Sequence, residues 1–405
     1  MGKKFVIYSL LVFVVCQVSA AQRKEGLLSE GFPKGTRIYK PDKCWNGYTL
    51  VPYENGMIIL IDMKGNVVHS WEIGTERARL LENGNVVVMQ GSSILEYNWD
   101  GKVVWEYEVP GGPYRGTGYP SVGFIHHDLQ RLSNGNTIFI YHEEVPEEYK
   151  KSIKDPIRKS VKIIGDCILE VNKAKEVVWQ WHTHEHLDLN EDSSVRAREG
   201  ELFDWTHTNT VGVLPENKWY DAGHSEFKPG NVIICPRHLD EIYIIDRETK
   251  KVVWRYSGEY MGGLARPHEP YMIKKGMPGA GNILIFDNGI GPKTSNRDGK
   301  AVRDEITVIL EINPVSKQIV WLYQNGKEFY SSIQGTQQRL SNGNTFICES
   351  TTGRIFEVTR DGEVVWEYVM PPFPGSDEEH GFGTRPHRYP YDYCPQLKKL
   401  PTPEQ

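Results

Sequence analysis

Apolar and polar residues alternate over short runs along most of this chain, and the alternation returns in a marked form. One pentamer signals each return: VVHSW at 67, VVWEY at 103, VVWQW at 177, VVWRY at 252, IVWLY at 319 and VVWEY at 364. Each copy follows a turn-forming stretch (MKGN, WDGK, NKAKE, RETKK, NPVSKQ or RDGE), and before each turn stands another run of β-branched and aromatic residues, such as IILIDM, CILEVN or TVILEIN. Such runs, joined by turns containing Gly, Asn or Lys, are β-hairpins. A second signature precedes most of them: ENGNVVVM at 82, SNGNTIFI at 133, KPGNVIICP at 228, GAGNILIFD at 279 and SNGNTFICE at 341. Each unit is therefore expected to hold an inner strand leading into the Gly-Asn turn, a second strand, a third, and the pentamer.

Six such units predict an all-β protein: a six-bladed β-propeller with four-stranded antiparallel blades around a central channel. The Trp of each pentamer is expected to fill the wedge between neighbouring blades. Uneven spacing of the pentamers is taken up by insertions at 145–165, 184–204 and 288–304, all polar. Polar loops on a rigid scaffold commonly rim a binding face. Helical periodicity is missing throughout, which argues against a helical domain.

The ends refine this picture. The opening MGKKFVIYSLLVFVVCQVSAA has Lys3 and Lys4, an apolar run from Phe5 to about Val18, and small residues at Ser19, Ala20 and Ala21. It reads as a secretory signal cleaved after residues 1–21, too short to be a spanning helix. That leaves an extension at 22–43, the propeller at 44–395 and a tail at 396–405. The mature chain is expected in the periplasm or secreted, with no membrane insertion after signal cleavage. A net charge of −6 without a basic block excludes nucleic acid as a partner. No C-x-x-C pair occurs, so zinc ribbons and redox pairs are not indicated. Cys167, Cys235 and Cys348 sit in apolar runs and are expected as buried thiols. Cys44 and Cys394 flank the folded region and are the expected disulfide, clamping the ring.

The candidate chemistry lies in histidines. His127 in FIHHDLQ, His207 in DWTHTN and His268 in ARPHEP all begin innermost strands of successive units, so closure of the ring aims three imidazoles at one opening. Arg237, just after the second strand of its unit, reaches the same mouth. Three neutral imidazoles make a good zinc set. A guanidinium beside them favours instead an anion such as sulfate, phosphate or carboxylate. His126, His238 and His387 are lesser candidates, and His182, His184 and His186 alternate in a pattern open to metal binding.

With these residues the motifs HHD (126–128), DWTHTN (204–209), PRHLDEIYIID (236–246) and PHEPYMI…GNILIFDNG (267–289) stand in an order that resembles the aryl-sulfate sulfotransferase family, over about Cys44 to Pro395. The resemblance implies transfer of a sulfuryl group from a phenolic sulfate ester to a phenolic acceptor through a covalent sulfohistidine. His268 would be the nucleophile, with His127 and His207 flanking it and Arg237 on the sulfonate oxygens; His126, Asn209 and His387 would contact substrate. The resemblance implies neither a cofactor nor a metal. Two other classes remain open at this level: a non-catalytic ligand-binding propeller, and a quinoprotein-like dehydrogenase, since ETKKVVWRY is similar to quinoprotein repeats, although those propellers typically have eight blades.

Overall fold

The computed structural model describes residues 36–53, 56–109, 122–289, 306–372 and 384–402. The expected leader at 1–21, most of the extension at 22–43 and nearly all of the insertion at 288–304 lie outside the described residues.

Six antiparallel sheets form the protein, and their order follows the pentamers. From the channel outward, the second blade is Ala78–Leu80, Val86–Gln90, Ser93–Tyr97 and Val103–Glu108, and the third is Ile125–Arg131, Thr137–Glu144, Ile163–Val171 and Val177–His182. The fourth is Thr208–Val213, Val232–Pro236, Ile242–Ile245 and Val252–Tyr256; the fifth is His268–Met272, Ile283–Asp287, Val308–Ile312 and Ile319–Tyr323. Thr336–Arg339, Thr345–Glu349, Arg354–Val358 and Val364–Val369 make the sixth.

The first blade explains why six pentamers come with only five Gly-Asn signatures. Its chain-contiguous strands are Tyr48–Tyr53, Met57–Ile61 and Val67–Trp71, and its innermost strand, His387–Tyr389, comes from the far end of the chain. Reciprocally, Ile38–Tyr39 adds a fifth, outer strand to the sixth blade. The two chain ends thus cross the same seam in opposite directions, and backbone hydrogen bonds close the ring, which leaves no open edge there.

That closure corrects the expected disulfide. Cys44 and Cys394 are both unbridged and buried. Cys44 belongs to the apolar cluster between the sixth and first blades, with Met63 and Trp366, and its thiol donates to the Val365 carbonyl at 3.1 Å. Cys394 belongs to the cluster between the first and second blades, with Tyr48 and Leu397. One blade therefore separates the two thiols. Cys167, Cys235 and Cys348 are buried thiols, as the apolar runs around them predict.

The pentamer tryptophans tie each blade to the next. Trp71 Nε1 donates to Asn98 O, Trp105 to Lys173 O, Trp179 to Arg247 O, Trp254 to Pro314 O, Trp321 to Arg360 O, and Trp366 to Met63 O, at 2.8–3.3 Å. Each acceptor lies in or beside the hairpin turn of the following blade, and the last bond returns to the first blade. The indole fills the wedge while its one polar atom is satisfied, so its burial carries no orphaned donor. Six apolar clusters sit at the six blade interfaces.

The Gly-Asn signature also has a side-chain role. Asn85, Asn136, Asn282 and Asn344 each donate at 2.7 Å to a glutamate of the third strand: Glu96, Glu170, Glu311 and Glu357. Those carboxylates pair with Arg131, Arg247, Arg339 and Arg388 from the next blade. The insertions at 145–165 and 184–204 are folded, with short helical turns at Glu147–Lys150, Pro156–Ser160 and Thr183–His186 and a parallel pairing of Phe203–Asp204 with Ile163–Ile164. No described helix is long and apolar enough to cross a membrane.

Candidate active site

Innermost strands put their first residues at one end of the channel, and there the backbone is unusual. His127, His207, Glu269, Gln334 and Arg385 stand at or beside the heads of five inner strands, all with φ between 45° and 61°. Such left-handed φ is unfavourable for residues with a Cβ, by roughly 1–2 kcal/mol each. Bulges follow in three of these strands, between the inner strand and its neighbour in the third, fourth and fifth blades. Residues held this way concentrate at sites where geometry matters more than backbone comfort.

Cross-blade bonds hold the strain. The His127 amide donates to Glu76 of the second blade at 3.1 Å, and the Glu269 amide to Thr210 Oγ1 of the fourth at 2.9 Å. Asp166 braces the fourth blade around His207 by accepting from Thr206 Oγ1 at 2.5 Å and the Thr208 amide at 2.7 Å. Two of the expected candidates come into ring contact. The His127 and His207 rings are 4.7 Å apart, edge to face. His127 and His207 both act electrostatically on their neighbours here, with His268 among the groups that lower His127 and His207 among those that lower His268.

The hydrogen bonds fix where His268 and His207 carry their protons. Asn288 donates through its amide to Ser331 O at 2.7 Å and Gln334 O at 2.8 Å, so its oxygen faces His268. His268 Nδ1 lies 2.6 Å from that oxygen and 3.1 Å from Arg266 O. Both partners only accept, so Nδ1 carries the hydrogen and Nε2 keeps its lone pair. Asp204 accepts in the same way from His207 Nδ1. A third chain runs from Asp166 Oδ1 to His126 Nε2 at 3.1 Å and from His126 Nδ1 to His127 Nδ1 at 2.9 Å. With their Nδ1 hydrogens committed to Asn288 and Asp204, His268 and His207 keep the ring lone pair on Nε2.

Their basicity is lowered as well. Burial pushes His268 well below the ordinary histidine range, and Arg237 and Arg385 add to the effect. His207 is lowered by burial and then Arg237; His127 by burial and then His207. The Asp166 carboxyl is held far below its ordinary range despite burial, because His126, His142 and Thr206 bond or attract its anion. These imidazoles are neutral at neutral pH, the form a nucleophile or base requires.

Arg237 is buried just after the second strand of the fourth blade, where the sequence places it, and its charge is felt at both His207 and His268. Below the histidines lies an ion cluster: Arg77 pairs with Asp128 at 2.5 Å and with Glu269, and Arg385 sits 3.7 Å from Asp128 and 3.5 Å from Glu269. His387 stands on this cluster beside Arg79. Asn209 is buried, donating to Pro267 O and accepting from Thr210 Oγ1, so it braces the strand beside His268. His126 is turned toward Asp166 and stacks on His142 with centroids 3.7 Å apart.

Several residues of this arrangement escape the sequence reading. Asp204, Asp166 and Asn288 carry no periodic signal, although Asp204 and Asn288 fall inside motifs singled out above. His238 stacks on His207 at 4.5 Å and donates through Nδ1 to Asp204 O at 2.9 Å. Arg385 had a signal in plain view: Arg385-Pro386-His387 repeats Arg266-Pro267-His268, and both arginines have positive φ just ahead of an inner strand. The three-histidine zinc set does not form. Groups whose ligand atoms lie within 4.8 Å of one another are, among the described residues, His126–His142–Asp166, Asp204–His207–His238 and Glu143–Cys167–His182.

The fold is a six-bladed propeller with buried imidazole and guanidinium groups gathered at one end of its channel. Residues 77–370 match the family model described as Arylsulfotransferase (ASST), and the chain belongs to that family. No curated protein matches the chain in sequence. Among solved structures, a protein of unknown function from Bacteroides caccae is 13% identical with a TM-score of 0.50, covering 86% of this chain and 98% of that one. Virginiamycin B lyase from Staphylococcus aureus is 12% identical with a TM-score of 0.36, covering 77% and 83%. These are likenesses of fold alone.

Proposed function

We propose that the protein moves a sulfuryl group from a phenolic sulfate ester to a phenolic acceptor through a covalent sulfohistidine on His268. Family membership supports arylsulfotransferase-type chemistry on small molecules. The observation that carries the finer reading is the placement of protons: His268 Nδ1–H is committed to Asn288 and Arg266 O, and Nε2 has no hydrogen-bond partner among the described residues.

In the first half-reaction the Nε2 lone pair attacks sulfur, the bond from sulfur to the aryl oxygen breaks, and the electron pair leaves with the phenolate. Sulfuryl transfer, like phosphoryl transfer, has a loose transition state that asks chiefly for positioning and charge stabilisation. Arg237 supplies the fork for the sulfonate oxygens. The sulfonated ring is now cationic, protonated at Nδ1, and its bond to Asn288 becomes charge-assisted. In the second half-reaction the acceptor phenol gives its proton to Nε2 of His127 or His207, its oxygen attacks sulfur, and the S–N pair returns to His268. The base then releases its proton to solvent. Depressed basicity makes the flanking histidines better suited to this base role than to protonating the first phenolate.

The test is turnover of 4-nitrophenyl sulfate with phenol as acceptor. One mouth and one nucleophile require the first phenol to leave before the second enters, so initial-rate plots at varied donor are expected to be parallel across acceptor concentrations. Intersecting lines, with no acid-labile and alkali-stable sulfate label on the protein, would overturn the covalent route.

A further inference from the structure

The third blade carries another group of metal-ligating side chains, on the opposite face of the sheet from Asp166 and His142. Successive residues of a strand point to opposite faces. His142 and Asp166 turn toward His126, so Glu143 and Cys167, their immediate neighbours, turn the other way. In the strand register Cys167 stands opposite His182 on one side and Tyr141 on the other, and Glu143 lies two pairs further along, on the same face. A Glu143 oxygen, Cys167 Sγ and a ring nitrogen of His182 lie within 4.8 Å of one another. His182 Nδ1 is 2.9 and 2.8 Å from the two Glu143 oxygens. His184, in the helical turn that follows, brings Nδ1 to 3.1 Å from Glu143 Oε1, yet that nitrogen makes no well-directed hydrogen bond although its side chain is only 6% exposed.

An ion pair between Glu143 and His182 would account for two of these groups. It does not require a thiol against His182, nor a second imidazole buried 3.1 Å from the same carboxylate without a well-directed hydrogen bond. Buried polar atoms normally find partners. We infer that Glu143, Cys167 and His182, with His184 as the fourth donor, form a binding site for a divalent cation of the zinc class. The donor set is that of zinc: one thiolate, imidazole nitrogen and one carboxylate oxygen. Bond lengths of about 2.0–2.3 Å in a tetrahedron separate ligand atoms by roughly 3.3–3.8 Å, so a modest opening of the present contacts admits the ion. On binding, Cys167 and the imidazoles give up whatever protons they carry at those positions; thiolate and carboxylate then balance the cation's two charges, and the partly buried site stays neutral. His182 and Glu143, at 18% and 14% side-chain exposure, mark the side from which the ion enters.

The experiment uses the full-length protein stripped of metal and titrated with Co²⁺, then with Zn²⁺ in competition. The expected result is one ion per chain, with a near-ultraviolet thiolate-to-cobalt band and the intense visible band of tetrahedral cobalt, both displaced by Zn²⁺. Cys167→Ser is expected to remove the thiolate band, and His182→Ala or His184→Gln to weaken Zn²⁺ binding by more than the roughly 10–100-fold that loss of a supporting contact costs. Asp204→Ala, which breaks the ligand-type group at the channel mouth, is expected to leave the thiolate band intact. Circular dichroism of each variant confirms that it is folded, and a Zn²⁺-induced rise in melting temperature seen in the wild type but lost in folded Cys167→Ser gives a second readout. A weak octahedral cobalt spectrum unchanged in Cys167→Ser, or binding abolished by Asp204→Ala with Cys167→Ser unaffected, would overturn the inference.

Discussion

Replacing Asn288 by Ala removes the group that, in the proposed mechanism, leaves Nε2 of His268 as the nucleophile, without touching the ring itself. In the wild type the Asn288 oxygen accepts from Nδ1 at 2.6 Å, and its amide is pinned by Ser331 O and Gln334 O. As sulfur bonds to Nε2 the ring acquires positive charge, so this hydrogen bond passes from neutral to charge-assisted. Hydrogen bonds to charged groups contribute about 1.5–3 kcal/mol. A neutral bond contributes about 0.5–1.5 kcal/mol, so the part that develops with the charge and falls on the transition state is about 1–1.5 kcal/mol; at 1.36 kcal/mol per decade it corresponds to a roughly 5- to 13-fold slower burst of 4-nitrophenolate. Arg266 O remains as a second acceptor at 3.1 Å, which keeps the loss from being total. The variant also strands two buried carbonyls, so its melting temperature should fall, and stopped-flow bursts belong at a temperature where circular dichroism shows it folded. A folded Asn288→Ala enzyme with a burst rate within twofold of wild type would refute the proton-placement argument.

Further outcomes follow from the same geometry. His268→Asn should lose both turnover and any trappable sulfate label, whereas His127→Asn or His207→Asn should slow transfer by roughly 10²- to 10⁴-fold and still allow the label on His268, as peptide mapping would show. Arg237→Lys keeps a charge but loses the fork, so both half-reactions should slow in single-turnover assays. Since burial and nearby guanidinium groups lower His268, kcat/KM should stay level as pH falls through 6.5, the ordinary histidine value, and decline only below it; a half-maximal point at or above 6.5 would contradict this. Stability has a matching sign: these folded-state values lie below the unfolded one, so the unfolded chain binds more protons in acid. The stability carried by neutral His127, His207 and His268 is complete above about pH 6.5 and is lost as pH falls toward their lowered values, which denaturant titrations across pH would record.

The blade count was legible because the pentamer tryptophan does the same physical task six times, bonding to the next hairpin turn, and a repeated task leaves a repeated residue. The Gly-Asn signature was legible as a turn, while its Asn-to-Glu bond was not, since the glutamate sits in a third strand at no fixed distance along the chain. Ring closure was misread for a related reason. Cys44 and Cys394 flank the array in sequence, but the last inner strand belongs to the first blade, so sequence ends and spatial seam do not coincide. Histidines at strand heads could be read because Gly-Asn turns locate inner strands. Their partners could not: Asp166 reaches His126 across two strands of its own blade and the backbone around His207 across a blade interface, relations that periodicity along one strand does not encode.

This division has a consequence for how the site is built. His127 is held by Glu76 from the second blade, the backbone around His207 by Asp166 from the third, and Glu269 beside His268 by Thr210 from the fourth and Arg77 from the second. Each left-handed residue at a strand head is thus stabilised by a blade other than its own. A single blade has no reason to adopt such backbone, since about 1–2 kcal/mol per residue would go uncompensated. Only when the strands from both chain ends complete the seam do Arg385 and His387 arrive, and Arg385 then donates to Asn209 O at 2.6 Å, against the strand that follows His207. The geometry of the candidate site is therefore a property of the closed ring: the hydrogen bonds that join the chain's ends also bring in Arg385, which adds to the burial and Arg237 that lower His268.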